Sequence, residues 1–148
     1  MDRSFVAENA RALERLKALL SRLSDGDLTI LVNEYWSVAG VFGHLAFWDG
    51  RALLMAGKLT RGEPFTPSDD EPEDVDWIND SIRPLVHAIP PRTMAELALT
   101  IAEETDNAMA ALPASIVEGI DERSPLNLVR AQHRDEHLDE MEAALKAR

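Results

Sequence analysis

Apolar residues recur along most of this chain at steps of three and four, the spacing that stacks side chains on one face of an α-helix. In residues 4–23, Val6, Leu13, Leu16, Leu20 and Leu23 share such a face, and Asp25-Gly26-Asp27 supplies a stop. Residues 28–35 include the β-prone run Leu28-Thr29-Ile30-Leu31-Val32. A lone strand has no partner in a chain otherwise patterned for helices, so a loop is expected there. The next helix opens at Ser37, a good N-cap, with Trp36 and Val41 spaced for a hydrophobic staple. Its inward face carries Val41, His44, Leu45, Trp48, Ala52 and Met55, and Gly57 is expected to close it.

Residues 58–74 are polar and contain the acidic run Asp69-Asp70-Glu71-Pro72-Glu73-Asp74. A long loop is expected, serving as a lid, a site wall or a solvated connector. A short helix over about 75–83 would carry Trp77, Ile78 and Ile82, and Pro84, Pro90 and Pro91 are expected to break the stretch from 84 to 91. Thr93-Met94-Ala95-Glu96 has the form of a capping box, and Leu97, Ile101, Thr105, Ala108 and Leu112 continue the helix it opens. Pro113 ends that helix. The last helix is expected from Ser124 as N-cap and Pro125 at N1 to about Lys146, with an inward stripe of Leu126, Val129, His133, His137, Met141 and Ala144. Four long helices with short-to-medium links predict an all-α fold, a four-helix bundle forming one domain over residues 1–148.

Composition narrows the function classes. At 148 residues the chain has room for one domain with a substantial core. A net charge of −12 disfavours nucleic acid and anionic membrane surfaces as partners. With no cysteine, any metal must use nitrogen and oxygen donors and no disulfide supports the fold. This composition fits a reducing, cytoplasmic setting. Met1-Asp2-Arg3-Ser4-Phe5 lacks an apolar h-region, so no signal peptide is expected, and no stretch approaches the roughly 20 apolar residues of a membrane span.

Candidate chemistry centres on histidine. Three of the four histidines, His44, His133 and His137, fall on the inward stripes of two helices. His133 and His137 are spaced i, i+4, so both rings leave one helix face and can reach one metal ion. A lone histidine on an apolar face is commonly a hydrogen-bonded core residue. Three converging imidazoles, however, leave ring nitrogens unsatisfied unless a cation lies between them. The same segment, His133-Arg134-Asp135-Glu136-His137, spells the H-x-x-E-H signature of a zinc-peptidase group. Those enzymes take their third ligand from well downstream, and only eleven residues follow His137. Arg134 and Asp135 are therefore expected in water, and Glu136 either supports a ligand or is solvated. His87, between prolines, is expected at the surface or in packing. Asp49 is expected to cap or to pair with Arg51 or another surface base. Trp48 is expected in the core or as a pocket wall, and Asn79 as a cap or bridge.

Trp36-Ser37, His44-Leu45-Ala46 and Trp48-Asp49 together resemble the W-[ST]-x(6)-HLA-x-W-D run of the DinB-like (DinB/YfiT) superfamily. Val75-Asp76-Trp77-Ile78-Asn79 resembles its central D-x-x-N stretch, and the segment from His133 to Met141 resembles its closing H-x-x-x-H-x-x-x-[IM] helix. The resemblance implies an up-down-down-up four-helix bundle, commonly a homodimer. It also implies a divalent metal, usually zinc or nickel, on the positions matching His44, His133 and His137. Related members include the metal domain of mycothiol-dependent maleylpyruvate isomerase and thiol S-transferases using bacillithiol or mycothiol. The Pro-rich region 83–92 departs from the family's third helix, and no motif specific to one thiol is visible.

The leading expectation is thus a metal-dependent enzyme acting on a small-molecule substrate, a low-molecular-weight-thiol S-transferase or a related hydrolase. Three imidazoles leave at least one coordination position open. The alternative is a non-catalytic dimerisation or metal-stabilised structural module, which a fourth ligand from residues 69–74 would favour. A third reading, an acidic partner for a basic protein, rests on net charge alone.

Overall fold

Seven helices make up the regular structure of the described residues, 2–64 and 72–148 of a computed structural model. They are α1 (Ser4–Ser21), α2 (Asp25–Leu28), α3 (Val38–Thr60), α4 (Pro72–Ala88), α5 (Pro91–Ala110), α6 (Ala114–Gly119) and α7 (Ala131–Lys146). No strand occurs among the described residues; Leu31 and Ser37 form an isolated bridge. The all-helical class is as the periodicity predicts.

The main packing pairs link α3 to α5, α5 to α1, α1 to α7 and α7 to α3, while α4 lies on α3. Two apolar clusters fill the interior. One gathers Leu16, Leu19, Val38, Phe42, Leu45, Ala95, Ala98, Leu138 and Met141. The other gathers Phe5, Ala52, Met55, Met109, Leu112, Val117 and Leu126. Buried polar residues lie along the four long helices that pack together: Asn9 on α1, Asp49 on α3, Thr105 on α5 and Arg134 on α7.

Glycine sets the closest approach. A Cβ on Gly43 would overlap Val86 Cγ1 of α4 and stand 3.0 Å from Met94 Sδ of α5. One on Gly40 would overlap His87 Nε2. The small residues Ala95, Ala98 and Ala102 continue this tight seam on α5.

Several boundaries differ from the periodicity reading, each for a local reason. Asp25-Gly26-Asp27 does not merely stop α1: Ser24 and Asp27 form a reciprocal capping box that opens α2. Gly57 lies inside α3, which ends at Thr60, and Gly62 takes the left-handed turn at φ 76°. Helix α4 runs through Pro84, held beyond it where Val86 packs on Gly43 and His87 on Gly40. Helix α5 starts two residues before Thr93, with Pro91 at its beginning, and no side-chain cap forms. Its buried stripe is Met94, Ala95, Ala98, Ala102, Thr105 and Met109, and Leu97 is 43 % exposed.

The largest correction is at α7. Ser124 does not cap it; its Oγ accepts from the Asp121 N–H in a turn at 3.1 Å. Helix α7 begins at Ala131, where Asn9 of α1 acts as a cap across the fold. Asn9 Oδ1 accepts from Ala131 N–H at 3.0 Å, and Asn9 Nδ2 donates to Leu128 O at 2.8 Å. The acidic run expected in the long loop lies partly outside the described residues, at Asp69-Asp70-Glu71; Pro72 already begins α4.

Candidate metal centre

Helix α3 brings in the first histidine. Ser37 Oγ accepts from Gly40 N–H at 3.0 Å, as its sequence position predicts, and Val38 N–H donates to Ile30 O at 2.8 Å. These bonds fix the start of α3, and His44 follows at 9 % exposure, with Trp36 edge-on at 5.6 Å between centroids. Helix α7 supplies the other two from adjacent turns.

The three rings converge. His44 Nε2 and His133 Nε2 lie 3.1 Å apart, as do His137 Nε2 and His133 Nε2. One ligand atom from each lies within 4.8 Å of the others. The rings meet edge-on, at interplanar angles of 63°, 76° and 79°.

His137 Nδ1 stands 3.0 Å from Glu140 Oε2. A carboxylate accepts only, so that contact puts the proton on Nδ1 and leaves the Nε2 lone pair facing His133. His133 Nε2 carries at most one proton in the neutral ring, yet it faces two nitrogens. Burial, followed by the neighbouring charge of His137, pushes His44 down to about 4 and His133 to about 3, so both are neutral near pH 7. Nδ1 of each is buried with no partner among the described residues.

Three imidazole nitrogens so close suit one cation better than one another. Zinc–nitrogen bonds of about 2.0–2.1 Å in tetrahedral geometry put ligand nitrogens about 3.3 Å apart, close to the 3.1 Å seen here. The three residues could hold a metal ion.

A cavity of about 500 Å³ opens beside the histidines, walled by Trp48, Val75, Asn79, Asn127, Arg130 and Glu136. Trp48 Nε1 donates to Asn79 Oδ1 at 2.8 Å, tying α3 to α4 at the wall. A second cavity of about 230 Å³, bounded by Trp36 and Glu140, reaches His44 and His137 from another side.

Also joining α3 to α7 is an ionic layer that hydropathy misplaces. Arg134, expected in water, is fully buried. Its Nε donates to Asp49 Oδ2 at 3.1 Å, and its two Nη atoms donate to Asp106 at 2.9 and 2.8 Å. Asp49, expected at the surface, is 1 % exposed and also accepts from Arg130 Nε at 2.9 Å. The usable signal is spacing: Arg134 falls three and four residues from the buried Ala131 and Leu138. The stripe expected through Val129, His133 and His137 is displaced by one position, because hydropathy places an arginine outside. Asp135 does meet solvent, paired with Arg11 and Arg15.

The remaining candidates are distributed plainly. His87 is exposed, 5.6 Å from Trp36 between centroids, and does not join the histidine group. Glu136 sits exposed at the cavity rim; Glu140, one turn further along and marked by no sequence motif, is the carboxylate on a histidine.

Comparison with protein-family models, with curated proteins and with solved structures finds no match. No helix among the described residues is long and apolar enough to cross a membrane.

Proposed function

We propose that this chain is a metal-dependent enzyme of the DinB-like kind, in which His44, His133 and His137 bind one divalent ion, zinc or nickel, inside an up-down-down-up four-helix bundle. The observation that carries this reading is the meeting of three imidazoles, two of them held neutral by burial, beside an accessible cavity. The resemblance of the Trp36–Asp49 and His133–Met141 segments to that superfamily supports it. So does the packing of α1, α3, α5 and α7.

His44, His133 and His137 would hold the ion, which would supply Lewis acidity toward a water or a thiol. The chain does the rest. Glu140 orients the His137 ring through Nδ1. Trp48 and Asn79, joined by a hydrogen bond, wall the cavity. The reaction is transfer of a low-molecular-weight thiol to an electrophile, or hydrolysis of a small substrate, and neither needs a protein nucleophile. Among the described residues the group has three protein ligands, which favours this over a structural site, normally closed by four.

The test is metal content by mass spectrometry on purified and on zinc- or nickel-reconstituted protein, beside His133→Ala, followed by assays of thiol transfer and ester hydrolysis. One ion per chain, lost in His133→Ala without loss of helicity, is expected. Absence of bound ion after reconstitution overturns the metal reading; bound ion with no activity on any thiol or ester overturns the enzymatic one.

A further inference from the structure

The fold accounts for only one of the three guanidinium nitrogens of Arg130. Arg130 precedes His133 by three residues and His137 by seven, in helical backbone geometry, so the three side chains follow one face of α7. Its Nε is held by Asp49, whose other oxygen holds Arg134. Arg134 commits Nε to Asp49 and both Nη atoms to Asp106. Arg130 does not: beyond Nε, its guanidinium has no protein partner among the described residues, and the side chain lines the cavity beside His133.

The charges around it point one way. Two guanidinium groups face two carboxylates, the buried Asp49 and the half-buried Asp106, and these balance. A divalent ion on the three imidazoles would then add positive charge on the cavity side of His133, while Glu140 holds His137 from the other side. The carboxylate on its lining, Glu136, is exposed at the rim. Fixing Nε leaves the two Nη groups as a pre-set fork, which matches a planar two-oxygen anion. Trp48 and Val75 add apolar wall, and a cavity of about 500 Å³ suits a small molecule.

We propose that Arg130 is the anion-recognition residue of this site, and that the substrate class is a small carboxylate-bearing molecule gripped by the Nη fork while a second group reaches the metal. This rests on the metal reading above. Its probes are 3-mercaptopropionate and 3-mercapto-1-propanol, which share a thiol for zinc and differ in the carboxylate. Calorimetric titration of the zinc-loaded protein should show the acid binding about 10- to 100-fold more tightly than the alcohol. Arg130→Gln should shrink that preference to about threefold or less, with zinc content and alcohol affinity unchanged. Equal affinities in zinc-loaded wild type, or a preference that survives Arg130→Gln, overturns the inference and leaves the metal reading standing. A wild type that takes up no zinc overturns the metal reading itself. Should Arg130→Gln fail to fold, phenylglyoxal labelling of zinc-loaded wild type decides: Arg130 should be protected by the acid and not by the alcohol, and equal labelling overturns the assignment.

Discussion

Replacing Asp49 by Asn should cost this protein more than any exposed charge it carries. Asp49 is 1 % exposed and accepts from two guanidinium groups, one on each oxygen, at 2.9 and 3.1 Å. An asparagine keeps the shape but offers one accepting oxygen, so its NH2 would face an arginine Nε–H, donor against donor. Arg134, with a fully buried side chain, would keep only Asp106 as a counter-charge. Breaking one side of a buried ion pair costs about 3–5 kcal/mol, because the remaining charge has left water without compensation. At about 2–4 °C per kcal/mol for a domain of this size, the melting temperature should fall by about 6–20 °C. Urea unfolding followed by circular dichroism measures the same loss as a lower midpoint at unchanged slope. Asp135→Asn is the control: Asp135 pairs with Arg11 and Arg15 at a solvated surface, where such pairs contribute about 1 kcal/mol or less. Equal, small losses in the two variants would refute the claim that buried charge holds α3, α5 and α7 together at this layer.

Asn9→Leu should destabilise by about 1–3 kcal/mol and speed amide exchange at Ala131, since it removes the acceptor for that N–H and the donor to Leu128 O; unchanged exchange there would contradict the cross-fold cap. Gly43→Ala should cost about 1–3 kcal/mol by overpacking against Val86 and Met94, read by thermal melting. For chelator-treated protein, stability should fall as the pH is lowered. His44 and His133 titrate near 4 and 3 when folded, below the usual 6.5, so the unfolded chain binds more protons between those values. Stability is full above about pH 6.5 and lost toward pH 4, at up to about 1.4 kcal/mol per pH unit for each histidine. Urea midpoints flat from pH 7 to 5 would contradict that burial.

The parts of this fold that are readable are those written in local sequence. Helix periodicity predicts the all-helical class, and Ser37 is the N-cap its type and position predict. The i, i+4 spacing that sets His133 and His137 side by side is local and readable, whereas their meeting with His44 depends on how α7 packs against α3. What escapes depends on contacts distant in the chain. The start of α7 is set by Asn9, more than a hundred residues away, against the pull of Ser124-Pro125. Pro84 stays helical because glycines on α3 give α4 a seat. Arg134 is interior only because Asp49 and Asp106 come from two other helices to meet it, and hydropathy assigns an arginine to water.

X-ray absorption at the metal edge of zinc-reconstituted protein bears most directly on the central claim. One ion per chain should give a shell dominated by imidazole nitrogen at about 2.0–2.1 Å, with three histidines in wild type and two in His44→Ala. A spectrum of hydrated zinc, or an imidazole shell that His44→Ala leaves unchanged, would contradict a centre built from both helices.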